Sequence, residues 1–407
     1  MKKVDVHYEG WGEHWHLGTL ADNGQKILFE YSNEALRQGL ELSPRHLPLS
    51  TQASGPFPEH LMRLPGLVSD SLPDGWGMLL MNRTFRKQGL DEHSLSPLTR
   101  LSFIGHRAMG ALSFTPEITT ELEPEWIALR HLASESQLVL AGEDTPALQQ
   151  LALLGGSPHG ARPKVMVHRN AAANRMSTQP SAGTVPWLVK FQAQDEPKEV
   201  CAIEDVYAEL ARRCGLDMPN TTYFDLSPSL AAFGIERFDV EQGLRVPTHT
   251  LAGLMHANFR VPQIDYVTFL RATRWVTKDI RETWKAYERA VFNVLFHNRD
   301  DHTKNFSYRL DRGRNWKLAP CYDLTFNEGP GGEHFMDIGG EARNITRGHL
   351  LSLAKSSDLD IPEAGQVIDR MREVAEAMPA LLRNAPVTAR TTKDILAKVR
   401  ACQSRLA

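Results

Sequence analysis

The sequence predicts an α+β protein of two lobes with a β-rich N-terminal subdomain, and three observations predict it. Short β-branched or aromatic runs separated by glycine turns fill the first 50 residues. Strand-like runs around a single helix follow between about 164 and 238, and helical periodicity dominates from 249 onward. The 407 residues allow two or three domains and a core that needs neither disulfides nor a structural metal. With 42% hydrophobic and 23% charged residues the chain is globular. Its 46 Lys+Arg against 49 Asp+Glu leave a net charge of −3, which excludes a broad basic face for nucleic acid.

The first strands are expected at Val4–Tyr8, Trp15–Leu20 and Ile27–Tyr31, with Asn23-Gly24 as a turn, forming a small antiparallel sheet or barrel. Trp76, Leu79, Leu80 and Phe85 recur at helical steps, predicting a helix over 76–88 with Asp74 as its N-cap and Gly89 after it. Gly105 to Phe114 reads as a turn into another strand. The acidic stretch Glu117–Glu125, with Pro124 and no apolar period, marks a boundary. The expected division is a subdomain 1–120, a small lobe 121–240 and a helical lobe 241–407.

Helices are predicted near 125–140 and 145–154, then strands at 164–168, 187–191, 222–226 and 233–238. A helix at about 200–214 ends at Gly215. Residues 169–184, rich in Ala, Ser, Asn and Gly, read as a mobile surface loop. The clearest helix covers 279–297, where Trp284, Tyr287, Ala290, Val291, Val294 and Leu295 share a face. Two short strands near 306–310 and 316–319 precede a helical C-terminus.

Cys201, Cys214, Cys321 and Cys402 form no C-x-x-C pair and read as reduced thiols. Asp5 interrupts any apolar run after the initial lysines, and no window of 18 apolar residues occurs. The expectation is a soluble, cytoplasmic protein with no membrane partner.

The chemistry concentrates in His297-Asn-Arg-Asp300-Asp301-His302-Thr-Lys304-Asn305-Phe306. Asp300 and Asn305 have the D-x-x-x-x-N spacing of a kinase catalytic loop, in which the Asp takes the substrate hydroxyl proton and the Asn binds magnesium. Asp323, beyond two short strands, is placed to supply the second metal carboxylate. Two other readings stand beside this one: Asp300 and Asp301 as a helix end or solvated turn, and a hydrolytic metal centre of His297, Asp300, Asp301 and His302. Upstream, Leu154-Gly155-Gly156-Ser157-Pro158-His159-Gly160-Ala161-Arg162-Pro163-Lys164 is a glycine-rich loop entering a strand. It suits phosphate oxygens, although it is neither a Walker A nor a G-x-G-x-x-G motif. Lys190, inside Trp187-Leu-Val-Lys-Phe, is either a solvent-facing strand residue or a phosphate-binding lysine. In the second case Glu199, Glu204 or Asp205 is its acidic partner, Glu204 being preferred. Glu236-Arg237-Phe238 would then form an interlobe hinge offering backbone groups to an adenine edge.

Taken together these phrases resemble the HipA-type serine/threonine kinases, toxins of bacterial type II toxin–antitoxin modules. Ser157-x-x-Gly160-Ala161-x-x-Lys164 is similar to that family's phosphate loop, Asn298-Arg-Asp-Asp-His-x-Lys-Asn-Phe-Ser307 to its catalytic loop, and Leu318-Ala-Pro-x-Tyr322-Asp323 to its metal segment. Leu42-Ser-Pro-x-x-Leu-Pro-Leu49, Asp70-Ser-Leu-Pro-Asp-Gly-Trp-Gly77 and Gly110-Ala-Leu-x-Phe114 resemble phrases of its first subdomain. The resemblance implies a kinase-like fold with ATP and Mg²⁺ as cofactors, Asp300 as catalytic base, and Asn305 and Asp323 as metal ligands. It places Ser157, His159, Gly160, Ala161, Arg162, Lys164, Lys190, Glu236, Arg237, Phe238, His302, Lys304 and Tyr322 around the nucleotide.

It also implies an off-switch by autophosphorylation of Ser157, where a phosphate adds about −2 charge against ATP. The chain departs from the family pattern at Pro158-His159 and at Pro163, which stiffens the loop. The implied partners are a HipB-like helix-turn-helix antitoxin, operator DNA bound through that complex, and a protein substrate. In the type member the substrate is an aminoacyl-tRNA synthetase. A charge of −3 leaves most DNA-phosphate contacts to the antitoxin. The alternatives are a catalytically quiet antitoxin/DNA scaffold and a kinase for a small molecule or lipid.

Overall fold

A computed structural model describes residues 1–92, 95–119, 121–156 and 158–407. Strands Lys3–Tyr8, Trp15–Asp22, Ile27–Tyr31 and Leu112–Thr115 form an open antiparallel sheet whose central strands are the first two. Alternation sets its buried face: Val4, Val6 and Tyr8 point inward on the first strand, Leu17 and Leu20 on the second. The Gly75–Lys87 helix covers this layer with Trp76, Leu80, Met81 and Phe85. A second helix, Pro97–Ile104, was not expected, although Ser96 caps it and Pro97 occupies its first turn.

The small lobe is a six-stranded antiparallel sheet in the spatial order Trp126–Ile127, Arg175–Ser177, Lys164–Asn170, Val185–Phe191, Ala231–Glu236, Thr221–Asp225. Two expectations are corrected here. The helix expected from 125 begins at Leu129, because Trp126 and Ile127 pair with Ser177 and Met176 as an edge strand. The supposed loop 169–184 contains the partner of that edge, Arg175–Ser177, in a hairpin with His168–Asn170. The Glu199–Arg213 helix packs on this sheet, and Gly215 follows it at φ +83, where glycine carries no Cβ penalty.

The C-terminal lobe is built around Ile280–Leu295, capped by the Asp279 carboxylate and buried through Ala286, Tyr287, Ala290, Val291 and Val294. Helices Tyr266–Thr277, Arg347–Ser356, Ile361–Ala375, Met378–Asn384 and Ala389–Arg405 surround it. Strands Thr248–Thr250, Ser307–Leu310 and Trp316–Leu318 form a small sheet facing the other lobe. The hydrophobic core runs through all three parts, and the four cysteines are free and buried. Among the described residues no helix is long and apolar enough to cross a membrane.

Candidate active site

A cleft of about 630 Å³ opens between the lobes, within the range of small-molecule sites. On its lower wall the long helix ends at Leu295, and His297 turns the chain with φ +57 into Asn298-Arg299-Asp300. Asp300 lines the cleft with its side chain 45% exposed and His302 Nε2 3.9 Å away. Burial, reinforced by Asp323 and Asp301 against the pull of His302, holds the Asp300 carboxyl above its ordinary value. Asn305 braces the loop by donating from Nδ2 to the Asp300 carbonyl at 2.7 Å.

The residues flanking Asp300 do different work. Asp301 is buried and accepts from Tyr266 Oη at 2.6 Å, His334 Nδ1 at 2.8 Å and the Phe335 N–H at 2.7 Å. Arg299 donates to the carbonyls of Gly332 and of Arg343, the latter at 2.9 Å. Both therefore grip the 329–343 segment and leave Asp300 alone facing the cleft. His297 turns to Glu328 at 3.2 Å. Asp301 and His297 thus turn away from the cleft that Asp300 and His302 share, and no group of three or more His, Cys, Asp or Glu among the described residues is placed to hold a metal.

Asp323 lies opposite, in the left-handed region at φ +57, a conformation that costs a non-glycine residue about 1 kcal/mol. One of its oxygens accepts from Lys190 Nζ at 2.8 Å, and Lys190 also bonds Glu204 at 2.5 Å. Despite its burial, Lys190 and Lys164 hold the Asp323 carboxyl far below the usual range. Of the three acids proposed for Lys190, Glu204 is its partner. Glu199 instead accepts from Thr388 and Thr391, and Asp205 from Thr221. Lys190 is therefore not a solvent-facing residue: its side chain is 8% exposed and that of Glu204 2%.

Lys164 sits directly across the strand pair from Lys190. Its ammonium is buried, bonds the His159 carbonyl, and is pushed down by that burial to about 8. His159 Nε2 donates to the Leu72 carbonyl at 3.0 Å, and burial lowers the imidazole to about 4. Gly160, Ala161, Arg162, His302, Lys304 and Tyr322 line the same cleft. Ser157 lies outside the described residues.

The hinge residues Glu236, Arg237 and Phe238 border the cleft on its far side, where Phe238 stacks on Tyr322 at 5.4 Å. Two basic side chains placed around the nucleotide by the sequence line the cleft and are also paired to acids. The Arg237 guanidinium is paired to buried Asp239 at 2.7 and 2.9 Å, and Arg162 donates to Glu196 at 3.0 and 3.2 Å. Each has an acid close by in the fold, and a fork-shaped cation takes a carboxylate readily.

The oxygens fit a small hard cation that keeps few protein ligands and completes its shell with phosphate oxygens. Asp323 has one carboxylate oxygen, and Asn305 its Oδ1, without a hydrogen bond from the described residues, and both residues line the cleft. What sequence reasoning missed is Asp74, recognised only as a helix cap. It also missed Asp70, which accepts from His249 Nδ1 at 2.6 Å and from the Thr250 N–H at 2.8 Å. The phrase Asp70–Gly77 was the signal available.

A sheet-plus-helix lobe, a helical lobe, and a lysine–glutamate pair bonded across the cleft to Asp323 define a two-lobed, protein-kinase-like fold with a β-rich N-terminal subdomain. A family model described as the HipA N-terminal domain matches residues 6–115, and one described as the HipA-like C-terminal domain matches 156–380. The chain belongs to the HipA family. Among solved structures, HipA of Shewanella oneidensis MR-1, determined with HipB and its operator DNA, superposes with a TM-score of 0.73 at 17% identity. That match covers 99% of this chain and 96% of the other, and it shows a shared fold. The Helicobacter pylori proinflammatory kinase CtkA matches 56% of this chain and 89% of its own, with a TM-score of 0.40 and 12% identity. No curated protein matches the sequence significantly.

Proposed function

We propose that this chain is an ATP- and Mg²⁺-dependent serine/threonine protein kinase acting as the toxin of a toxin–antitoxin pair. One observation carries the reading: Asp300, Asn305 and Asp323 share a cleft with Lys190, whose ammonium is paired to buried Glu204. Family membership supports the toxin role. The Shewanella protein of the same fold is described with HipB and operator DNA, which supports a HipB-like antitoxin and DNA bound through it as partners.

In this reading Asp300 accepts the proton of the substrate hydroxyl as that oxygen forms its bond to the γ-phosphorus. The bond between that phosphorus and the β–γ bridging oxygen breaks, and ADP leaves. Asp300, held above its ordinary pKa by burial, is a stronger base than a surface carboxylate. Lys190 and Lys164 supply positive charge to the nucleotide phosphates, and Glu204 keeps Lys190 extended toward them. Asp323 and Asn305 would hold magnesium, which supplies charge neutralisation on the phosphates when bound. Ser157 is the proposed off-switch, and an aminoacyl-tRNA synthetase is the substrate class implied by the resemblance.

The test is transfer of labelled phosphate from ATP by purified protein freed of phosphate, comparing wild type with Asp300→Gln and Asp323→Asn. Transfer lost in both variants, with the fold retained, supports the kinase. Full activity in Asp300→Gln sinks it, and a wild type silent with Mg²⁺ favours the scaffold. Phosphoproteomics of cells expressing either form identifies the target and separates protein from small-molecule substrates.

A further inference from the structure

Asp74 occupies the N-cap of the Gly75–Lys87 helix, yet its carboxylate accepts nothing from that helix. It is turned toward the cleft instead. Oδ1 accepts the backbone N–H of Gly160 in the glycine-rich loop, and Oδ2 takes the Lys304 ammonium of the catalytic loop at 2.8 Å. The helix repays the contact through its own first turn. The Trp76 N–H donates to the Gly160 carbonyl at 3.1 Å, and the Trp76 indole donates to the Lys164 carbonyl at 3.1 Å.

The N–H and the carbonyl of Gly160, which has φ +104, are thus both held by the N-terminal subdomain. The approach is close enough to require Gly75. A Cβ there would lie 2.7 Å from both the Gly160 carbonyl oxygen and the Ala161 Cα, at a φ of +38. A carboxylate diverted from its usual capping role to a loop of the other lobe does something other than start a helix.

We propose that the Asp74–Gly75–Trp76 segment is part of the nucleotide site. It fixes the glycine-rich loop through Gly160 and sets Lys304 beside it, so that Asp74 is a positioning residue for phosphate binding. The proposal rests on the kinase reading above. A purely structural tether between subdomain and lobes would instead lower stability and leave nucleotide affinity unchanged.

The experiment uses the full chain and the variants Asp74→Ala, Asp74→Asn and Lys304→Met. It measures ATP·Mg²⁺ affinity by calorimetry, KM and kcat of phosphate transfer, and amide exchange of residues 159–162 well below the melting temperature. Asp74→Ala should weaken affinity and raise KM roughly tenfold or more, the factor expected for losing bonds to a charged acceptor. Its kcat should change less than about threefold, and exchange in the loop should accelerate. Asp74→Asn keeps an oxygen for the Gly160 N–H but not the charge facing Lys304, and should fall between. Lys304→Met should weaken affinity while loop exchange stays as in wild type.

Wild-type affinity and loop exchange in Asp74→Ala overturn the proposal, as does a lowered melting temperature without either change. A wild type that binds no nucleotide refutes the kinase reading together with the nucleotide part of the proposal. Even then the exchange comparison decides whether Asp74 holds the loop.

Discussion

Lys190 and Asp323 meet at 2.8 Å across the interlobe cleft, the lysine on strand Val185–Phe191 and the aspartate in the turn after strand Trp316–Leu318. With Glu204 at 2.5 Å on its other side, one ammonium serves two carboxylates in a largely dry setting. Removing one member of a buried pair strands the other, which costs about 3 kcal/mol or more. Lys190→Met should lose about that much stability in urea unfolding. Lys190→Met/Glu204→Met should recover a good part of it, since without Lys190 the buried Glu204 carboxylate keeps just the looser Arg162 contact at 3.6 Å. No recovery in the double variant would contradict the pairing.

Asp300 presents the opposite case. Its pKa is raised chiefly by burial, with Asp323 and Asp301 adding repulsion, so its ionised form is a liability to the folded state at neutral pH. Asp300→Asn should therefore melt at the same temperature as wild type or slightly higher, while phosphate transfer falls about 10²- to 10⁴-fold. Calorimetry paired with a transfer assay checks both halves.

In the proposed kinase, Lys164 should make nucleotide binding sensitive to pH. Its ammonium titrates near 8 in the folded protein, and a bound phosphate favours the charged form. Affinity is then full below pH 8 and declines above it, by up to about tenfold per unit until the pKa of the complex is passed. Calorimetric titrations on either side of that pH, in wild type and Lys164→Met, measure it. The variant should bind weakly and lack this decline.

Arg299→Ala should leave the Gly332 and Arg343 carbonyls without their donor. Both bonds are only partly buried, and water can reach acceptors so near the surface, so the loss is about 0.5–1.5 kcal/mol each. The local sign is faster amide exchange across 329–343, a change Asp300→Asn should not produce.

Tyr266→Phe removes the hydroxyl that donates to Asp301 at 2.6 Å and accepts from Asn293 at 3.0 Å. A bond to a buried carboxylate is worth about 1.5–3 kcal/mol. The midpoint of urea unfolding should fall accordingly. An unchanged midpoint would show that Asp301 finds another donor.

The parts of the cleft legible in the sequence are those set by local spacing. Asp300 and Asn305 lie on one short loop, Asp323 follows a strand pair, and Lys190 meets Glu204 one element later. What was not legible depends on distant partners. Asp74 is 86 residues from Gly160 and 230 from Lys304, so no period or spacing could join them. Arg162 and Arg237 show a second limit, because a long basic side chain near both an acid and a cleft can take either. The edge pairing of Trp126–Ile127 with Arg175–Ser177 was lost for the first reason: two- and three-residue strands carry too little alternation to announce themselves.

The grip of Arg299 and Asp301 on the 329–343 segment has one further consequence. In kinases that are switched on by a phosphate in the stretch after the metal aspartate, arginine is the residue that reads it. Here Arg299 is already satisfied by two carbonyls, and the sequence offers no serine, threonine or tyrosine between Thr325 and Thr346. Nothing in that stretch can receive such a mark. The lower wall is held by contacts that the folded chain already makes, with no added phosphate between Thr325 and Thr346.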